Sequence, residues 1–514
     1  MKSIVIFYDD DNSKYKNEKV FNNLSSVDLS YEWATKMQTS KIVTINTVQN
    51  LSMLLEKMIL EAEKENADNV IFAFNDCPFL NVALSKKLYD FHIKYHSEYT
   101  FADGYSKGFA PEVINVGTLK ILHNLSLTHQ KEIGQKAVSK QSIFDLIKTD
   151  INSFEIETVI ADKDWRLLRY NFDCSIKEYF ISCKNLFEVL CKNNINVLEG
   201  DINQINEIAQ NELSVLKTVP GFYNIQITDF ASDKCVYCPY AKSYEEKYSS
   251  SCKNATNFMK KEDFSTLISK IANFSENAVI SLSLWGEAFS HPNILDFIEI
   301  VLSYNSLSVF IETEGYEISE DFCQKLKSIV QNSKPRTNGW KPVMVALQMD
   351  SVTEETYKKI HGSEKTLESV LNMLNLLESA LPNAVYPQFV RMQVNEKELE
   401  SFFRYWKEKE NASCGEFIIQ KYDDFCGLLS DEKTADLSPI ERNVCWHLRR
   451  DMNILTNGDV ILCKEYVLDN VIGNVFEQDL ESIWKKSDCV IKEHISCKYT
   501  NKCEKCDESY TYNF

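Results

Sequence analysis

The feature that most constrains the fold of this 514-residue chain is a regular alternation of strand-like and helix-like segments after Gly221. Apolar runs with the periodicity of a strand alternate with amphipathic runs that have the periodicity of a helix, as in parallel βα units. The six strand candidates lie at 222–230, 278–285, 308–313, 342–350, 384–392 and 415–423. Six units are too few for a closed eight-stranded barrel, so we predict a partial (βα)6 barrel with its functional residues at the strand carboxyl ends.

Short motifs follow the first four predicted strands, where such a barrel would place its active face. In chain order they are Cys235 and Cys238, Trp285-Gly286-Glu287, Thr313, and Gln348. Each motif alone says little, because a glycine after a strand is usually a turn and a C-x2-C pair binds zinc or nothing. Their succession at consecutive strand ends indicates a site.

Sixteen cysteines are unusual in a chain without a disulfide framework, and their spacing separates them into classes. Seven occur singly in apolar or helical surroundings, and we interpret them as small buried hydrophobes: Cys77, Cys174, Cys183, Cys191, Cys323, Cys414 and Cys426. Two groups have metal-ligand spacing. The first is the Cys235/Cys238 pair, and the second is the carboxy-terminal set of Cys445, Cys463, Cys503 and Cys506.

Residues 220–425 resemble the radical SAM superfamily, in which a C-x3-C-x2-C loop after the first barrel strand binds a [4Fe-4S] cluster. Cys235-Val-Tyr-Cys238 matches the second and third cysteines of that loop. Trp285-Gly286-Glu287 is similar to the turn that holds the methionyl amine of S-adenosylmethionine. The resemblance implies that the two cysteines hold the cluster and that Gly286 and Glu287 orient the amine. It also implies three residues that line the cofactor pocket: Thr313, Gln348 and Arg391.

One position departs from the family pattern. The family has its first cluster ligand four residues before Cys235, where this chain has Ala231. Because an alanine methyl cannot ligate iron, three interpretations stay open. Another thiol supplies the ligand, with Cys252 the nearest candidate; the cluster is labile; or the barrel has lost radical chemistry and retains a pair without metal.

The carboxy-terminal cysteines surround a predicted hairpin. Cys445 precedes alternating apolar residues that lead through Asn457-Gly458 to Cys463, and an Asn-Gly pair between two such runs is a strong hairpin signal. The chain then reaches Cys503-x2-Cys506. Four thiolates with this spacing bind zinc or an iron–sulfur cluster, and spacing alone slightly favours zinc.

This tail also resembles the SPASM domain that follows many radical SAM barrels. The resemblance implies one auxiliary [4Fe-4S] cluster, with Cys445, Cys463, Cys503 and Cys506 as its ligands. We interpret Cys489 and Cys497, which lie between the ligand pairs, as non-ligands. A core-poor tail of about seventy residues should depend on its metal for structure.

Residues 1–135 show a separate α/β pattern in which the strand NVIFAF runs into Asn75-Asp76, a position where open sheets place ligand groups. The segment resembles the nucleotidyltransferase or glycosyltransferase type A fold, which implies a divalent-metal and nucleotide site at Asp76. The family's phosphate loop has no counterpart here, and three aspartates at 9–11 would repel phosphate unless a cation bridges them. We interpret the domain as a non-catalytic relic used for binding or packing, with nucleotidyl transfer as the alternative.

Composition bounds the remaining possibilities. With 44% apolar residues and only 14 Gly and 10 Pro, the chain should fold throughout. We place domains at 1–135, 220–425 and 440–514, with a helical linker region at 136–219. The net charge of -19 argues against a nucleic-acid partner. The start, MKSIVIFYDDDN, fits neither a signal peptide nor an anchor, and no long apolar run occurs, so we expect a cytoplasmic protein without a membrane span.

The order of these three domains resembles the family of spiro-SPASM proteins. The resemblance implies an iron–sulfur protein that acts as a radical SAM enzyme on a peptide or glycan, with S-adenosylmethionine as its cofactor. The alternative is a pseudoenzyme that acts as a binding or scaffold protein and keeps metal only in its tail.

Overall fold

The computed structural model describes residues 1–129, 134–230, 235–239, 257–315, 318–362, 365–408, 413–467 and 469–511. The chain divides into two compact units, Met1–Thr218 and Val219–Phe514, which are described separately. Both units are mixed α/β structures, which confirms the α/β class; the nucleotidyltransferase-like fold of the first unit stays a prediction. Among the described residues, no helix has the length and apolar character needed to cross a membrane.

The first unit contains a six-stranded sheet with the strand order β2-β1-β3-β5-β4-β6. Its strands are β1 Ser3–Asp9, β2 Ile42–Asn46, β3 Asn69–Phe74, β4 Tyr99–Asp103, β5 Glu112–Asn115 and β6 Ile156–Ile160. Strand β5 runs antiparallel to both of its neighbours, and the other pairs are parallel. The apolar runs of β1 and β3 are almost wholly buried, as expected for central strands covered on both faces.

The helices of the first unit begin where polar side chains cap them. Ser25, Asn50, Asn81 and Asp201 each accept a hydrogen bond from a backbone N–H in the first helical turn. The α-helices are Ser26–Thr35, Leu51–Lys64, Val82–Lys94, Val116–Thr128, Ser142–Lys148, Lys177–Lys192, Ile202–Asn211 and Leu213–Leu216. Short 3-10 helices lie at Ile151–Ser153 and Arg166–Leu168.

Residues 136–219, which the sequence suggested as a linker region, belong to this first compact unit up to Thr218. Strand β6 pairs in parallel with β4 and forms one edge of the sheet. The backbone N–H of Cys174 donates to the Asp76 carbonyl at 2.8 Å. These long-range hydrogen bonds integrate the segment because they satisfy backbone groups on both partners.

The second unit contains a nine-stranded sheet with the order β12-β11-β10-β9-β8-β7-β13-β14-β15. Its strands are β7 Phe222–Ile225, β8 Ala278–Ser281, β9 Leu307–Thr313, β10 Val343–Gln348, β11 Val385–Arg391, β12 Ile418–Lys421, β13 Asp451–Ile454, β14 Asp459–Ile461 and β15 Val471–Asn474. Strands β7 to β12 are parallel and adjacent in chain order, at the six predicted positions. That they form a partial barrel stays a prediction.

Helices alternate with these parallel strands, and further short helices follow the hairpin. The α-helices are Lys261–Phe274, Ile294–Leu302, Glu320–Asn332, Glu354–His361, Leu367–Ala380, Leu399–Lys407, Trp446–Arg450, Leu480–Lys485, Asp488–Ile495 and Asn501–Lys505. The 3-10 helices are Ala288–Ser290, Glu396–Glu398 and Lys464–Tyr466. Apolar residues from the long helices pack against one face of the parallel strands and form the main core.

The opposite face of the parallel strands changes character along its length. Near the strand amino ends it is apolar, with Phe222, Val279, Phe310, Met344 and Tyr386 in one buried cluster. Two positions further along β7, β8 and β9, where the strand period returns to the same face, it becomes polar at Asn224, Ser281 and Glu312. These polar residues line a cavity at the carboxyl ends of the strands.

The predicted hairpin around Asn457-Gly458 is present. Strands β13 and β14 are antiparallel, and Gly458 has a φ of +86°, which lies in the left-handed region that glycine adopts readily. Strand β13 also pairs in parallel with β7, with Asp451 opposite Phe222. The carboxy-terminal strands therefore extend the sheet of the parallel strands.

Candidate functional site

A cavity of about 220 Å³ lies at the carboxyl ends of the parallel strands. Seven of the eight residues predicted to bind cluster or cofactor in the barrel line this cavity: Cys235, Cys238, Trp285, Gly286, Glu287, Thr313 and Gln348. Side chains from four successive strand ends thus meet in one place, because parallel strands bring their carboxyl ends to the same edge.

The eighth residue, Arg391, does not line this cavity. Its guanidinium pairs with Glu396 at 2.5 Å, and it lies beside a second, smaller cavity of about 110 Å³. The strand period explains the difference. Gln388 and Val390 of β11 face the first cavity, so the next side chain in the strand points to the other face. That Arg391 lines the cofactor pocket stays a prediction, although its side chain lies outside the first cavity.

The turn after β8 depends on a glycine at position 286. A Cβ placed on Gly286 would lie 2.0 Å from the Thr228 carbonyl oxygen, a distance that requires the backbone to move. Trp285 before it has a φ of +55°, an uncommon conformation for a bulky residue. The glycine therefore lets the turn approach the end of the preceding strand closely.

Glu287 is buried beside this turn and is held by several donors. The Thr313 hydroxyl lies 2.8 Å from both carboxylate oxygens, and the backbone N–H groups of Phe289 and Glu314 each donate at 3.2 Å. Burial raises the pKa of Glu287 to about 7, although the hydrogen bond from Thr313 opposes the shift. The carboxyl group therefore exchanges its proton near neutral pH.

We expect Glu287→Gln to remove a pH-dependent loss of stability. The folded chain keeps the Glu287 proton at pH values where the unfolded chain, with a pKa near 4.5, has lost it. The stabilisation is therefore complete below pH 4.5 and is lost as the pH rises through 7, a change of about 3 kcal/mol. Urea denaturation at pH 5 and pH 8 measures this. Between the two pH values, the free energy of unfolding of the variant should rise by about that amount relative to the free energy of unfolding of the wild type.

The matched control is Glu400→Gln, which changes a carboxylate on the exposed face of the helix Leu399–Lys407. Its difference from the wild type should vary little between the two pH values, since exposed ion pairs contribute about 0–1 kcal/mol. An equal pH dependence in both variants would contradict the role assigned to burial of Glu287.

The cysteine loop lies at the same cavity. Cys235 is buried, and burial raises the pKa of its thiol well above the ordinary value, with the Glu314 carboxylate adding to the shift. Cys238 is partly buried, and its backbone N–H donates to the Cys235 carbonyl at 3.3 Å. Ala231 and Cys252, on which the question of a third ligand depends, lie outside the described residues.

Polar side chains from neighbouring strands form a connected row in the cavity. Glu312 Oε1 accepts hydrogen bonds from the amide nitrogens of Gln348 at 3.2 Å and Gln388 at 3.0 Å. The Gln388 amide also donates to Gln420. The amide oxygens of Gln348 and Gln388 are buried and have no hydrogen-bond partner within the described part of the chain. Such acceptors cost free energy, which a bound donor group would recover.

The predicted ligands of the tail are neighbours. Burial raises the pKa of the Cys445 thiol to about 12, and the nearby Cys503 thiol contributes. Burial likewise raises the pKa of Cys463, where Glu465 and Cys445 contribute. The thiols of these residues thus lie close enough to interact. In the described ranges, however, no group of three or more His, Cys, Asp or Glu residues is arranged to hold a single metal ion.

Cys426 is a fifth thiol at this place, and the sequence interpretation missed it. A hydrogen bond with Cys426 is the leading cause of the raised pKa of Cys506, followed by burial. Phe425, Cys426 and Gly427 all have positive φ values, from +50° to +86°, in a turn shortly after β12. Spacing gave no sign of this contact, because Cys426 stands alone in the sequence. The one sequence feature that could have indicated a role for Cys426 is its position shortly after the last parallel strand.

The first unit has its own buried polar cluster at the end of β3. Asp76 Oδ2 accepts hydrogen bonds from the Ser13 hydroxyl and the Lys140 ammonium, each at 2.9 Å. The same ammonium lies 2.9 Å from Asp173 Oδ2. Burial alone would lower the pKa of Lys140, but the two carboxylates outweigh it and hold that pKa well above the ordinary value. Whether this domain is a non-catalytic relic or keeps a nucleotide site at Asp76 is not tested by these contacts, and both interpretations stay predictions.

Comparison with known proteins identifies the tail. Residues 445–507 match the SPASM family, described as an iron–sulfur cluster-binding domain. The match begins at Cys445 and ends one residue after Cys506, so it contains all four predicted ligands. The end of the second unit is therefore similar to the SPASM iron–sulfur cluster-binding domain.

A curated relative defines the family of the whole chain. An uncharacterized protein of Treponema pallidum (strain Nichols) is 38% identical over 380 residues, which cover 72% of this chain and 98% of the relative. At this identity and coverage, the chain belongs to the same family as the treponemal protein.

Several solved structures show weaker likenesses. BtrN in complex with AdoMet and 2-DOIA has a TM-score of 0.35 at 16% identity, over 58% of this chain and 99% of that one. Native anSMEcpe with bound AdoMet has a TM-score of 0.37 at 15% identity, over 55% and 86%. A cytidylyltransferase from Leptospira borgpetersenii has a TM-score of 0.34 at 13% identity, over 42% and 97%.

Proposed function

We propose that the second unit is an iron–sulfur protein of the radical SAM/SPASM type that acts as a radical SAM enzyme. One observation carries the proposal. A single cavity at the strand carboxyl ends brings together the Cys235/Cys238 pair, the Gly286 turn and the buried Glu287. Ligand groups from separate strand ends converge in this way where a fold with parallel strands binds a cofactor.

The residues present fit the proposed groups. Cys235 and Cys238 supply thiols, the ligands that iron–sulfur clusters use. The close approach at Gly286 leaves no space for a side chain, and the orphaned amide oxygens of Gln348 and Gln388 lack donors among the described residues. When bound, a reduced cluster supplies the electron that cleaves S-adenosylmethionine. The protein's part is to bind the cofactor, orient it through Gly286 and Glu287, and exclude water.

The proposal includes an answer to the missing cysteine at position 231. Two thiols of the loop hold the cluster, and Cys252 or a small-molecule thiol completes the set. Under the competing hypothesis, a pseudoenzyme, the pair holds no iron and the cavity serves to bind a partner. Iron content distinguishes the two.

We place a second, auxiliary cluster in the tail, with Cys445, Cys463, Cys503 and Cys506 as its ligands. The SPASM match over 445–507 supports the cluster, and the mutual influence of these thiols supports the ligand set. The substrate class we propose is a peptide or a glycan, and we assign the chain to the spiro-SPASM branch of the family.

The decisive experiment is anaerobic reconstitution followed by reduction with dithionite in the presence of S-adenosylmethionine. We expect the wild type to form 5′-deoxyadenosine, and the Cys235→Ser/Cys238→Ser variant to form none while keeping the tail cluster. The matched control is Cys323→Ser, which changes a buried thiol of the helix Glu320–Asn332 that does not line the cavity. Absence of product from wild-type protein with iron at both sites would contradict radical SAM activity, whereas a pair that takes up no iron would favour the pseudoenzyme.

A further inference from the structure

The loop that carries the cysteine pair is held by one buried carboxylate from a distant strand end. Tyr237 lies between the two cysteines in the sequence. Its hydroxyl donates to Asp350 Oδ2 at 2.7 Å. Asp350 is fully buried, and its φ of +57° lies in the left-handed region. A non-glycine residue keeps that conformation only where the surrounding contacts determine it.

Those contacts come from three residues on other segments. His361 Nε2 lies 2.9 Å from the same Asp350 oxygen, and the Val390 backbone N–H donates to Asp350 Oδ1 at 2.5 Å. The Asn395 side-chain amide donates to the Asp350 backbone carbonyl at 2.8 Å. One aspartate thus joins the cysteine loop to the end of the helix Glu354–His361 and to strand β11.

The backbone of the loop adds a second attachment beside the first. The Val236 N–H donates to the Ile360 carbonyl at 3.1 Å, and the Tyr237 ring meets the His361 ring edge-on with 5.9 Å between centroids. Both residues between the cysteines are therefore attached to the same helix end. Val236 and Tyr237 connect Cys235 to Cys238, so attaching these two residues also fixes the backbone that carries both thiols. The orientation of the two thiols therefore depends on these attachments.

We propose that Asp350 is the positioning residue of the cysteine pair and that it acts through Tyr237. The inference rests on the proposed function, in which Cys235 and Cys238 hold iron. Ala231 cannot supply a third thiolate, so the loop offers iron only two protein bonds. With fewer bonds to the metal to order the loop, contacts within the protein have to place the two thiols before the metal binds. Charge-assisted hydrogen bonds to a buried carboxylate are suited to this, because they are strong and directional.

The test uses the full-length metal-free protein and measures iodoacetamide alkylation of each cysteine by peptide mass spectrometry. In Tyr237→Phe, Cys235 and Cys238 should react about tenfold to a hundredfold faster than in the wild type, the factor expected when a charge-assisted hydrogen bond no longer opposes local opening. The buried Cys323 of the same unit should keep its rate. Asp350→Asn, which removes the charge at nearly constant volume, should give the same pattern.

Tyr357→Phe is the matched control. Tyr357 is buried and its ring stacks on His361 at 4.7 Å, but its hydroxyl has no hydrogen-bond partner among the described residues. The same loss of one hydroxyl should therefore leave the rates of Cys235 and Cys238 unchanged.

Three results would overturn the inference. These are unchanged rates in Tyr237→Phe and Asp350→Asn, an equal acceleration in Tyr357→Phe, and a rise at Cys323 that matches the rise at the pair. A matching rise at Cys323 would mean that the hydrogen bonds of Asp350 stabilise the fold of the whole second unit and do not act on the cysteine pair in particular. The alkylation rates do not depend on iron, so they test the positioning role even if reconstituted wild type takes up no iron at the pair. That result would contradict the proposed function alone.

Discussion

Replacing Lys140 by methionine should lower the stability of the first unit by about 3–5 kcal/mol, the cost of leaving buried charges without their partner. The ammonium bridges Asp76 and Asp173, both of which are buried. Methionine keeps most of the side-chain length and removes the charge. The buried thiols of Cys77, Cys174 and Cys183 report on unfolding of this unit, because they become accessible to alkylation as urea rises.

Lys148→Met is the control for this experiment. Lys148 pairs with Asp145 at 2.7 Å on an exposed surface, so its loss should change stability by about 0–1 kcal/mol. The urea midpoint of Lys140→Met should fall by about 1–3 M more than that of the control. Equal midpoints would show that the Asp76–Lys140–Asp173 contact adds no stability.

Changing Cys445, Cys463, Cys503 and Cys506 together to alanine should remove about four iron atoms per chain and their acid-labile sulfide. Metal–thiolate bonds form only in the folded arrangement, so loss of the ligands is also loss of folding free energy. We expect residues 445–507 to become susceptible to proteolysis in the variant. Iron and sulfide assays on reconstituted protein, with limited proteolysis, measure both effects.

The control is the double variant Cys489→Ala/Cys497→Ala. Both thiols are exposed and lie in the same tail, outside the proposed ligand set. This variant should keep its iron and its resistance to protease. Iron and sulfide contents equal to those of the wild type after all four ligand changes would exclude the shared site in the tail. Zinc in place of the tail iron in the wild type, with no sulfide to match it, would show that the site is right and the metal is wrong.

The sequence predicted features that depend on local periodicity. Strands β7 to β12 were predictable because each is a short apolar run between amphipathic helices, and chain order gave their neighbours. The hairpin was predictable because Asn457-Gly458 fits its turn. The same reasoning placed Cys235, Gly286 and Glu287 on one cavity, since strand ends in parallel units meet at one edge.

Contacts between distant segments could not be predicted in this way. Tyr237 and Asp350 are 113 positions apart, and nothing in their spacing indicates a hydrogen bond. Lys140 and Asp76 are 64 positions apart. Cys426 was interpreted as a small hydrophobe because single cysteines usually are. In each case the partner is set by tertiary packing, which the pattern of one sequence does not record.

The pairing of β7 with β13 has a consequence for synthesis of the protein on the ribosome. The hydrogen bond between Asn224 and Asn453, on these two strands, spans 229 positions. At ordinary translation rates the first strand emerges about 10–45 s before its partner. During that interval β7 has a free edge, and exposed edges recruit strands from other chains. The second unit should therefore depend on chaperones during translation more strongly than its size suggests, and a chain truncated before Asp451 should aggregate.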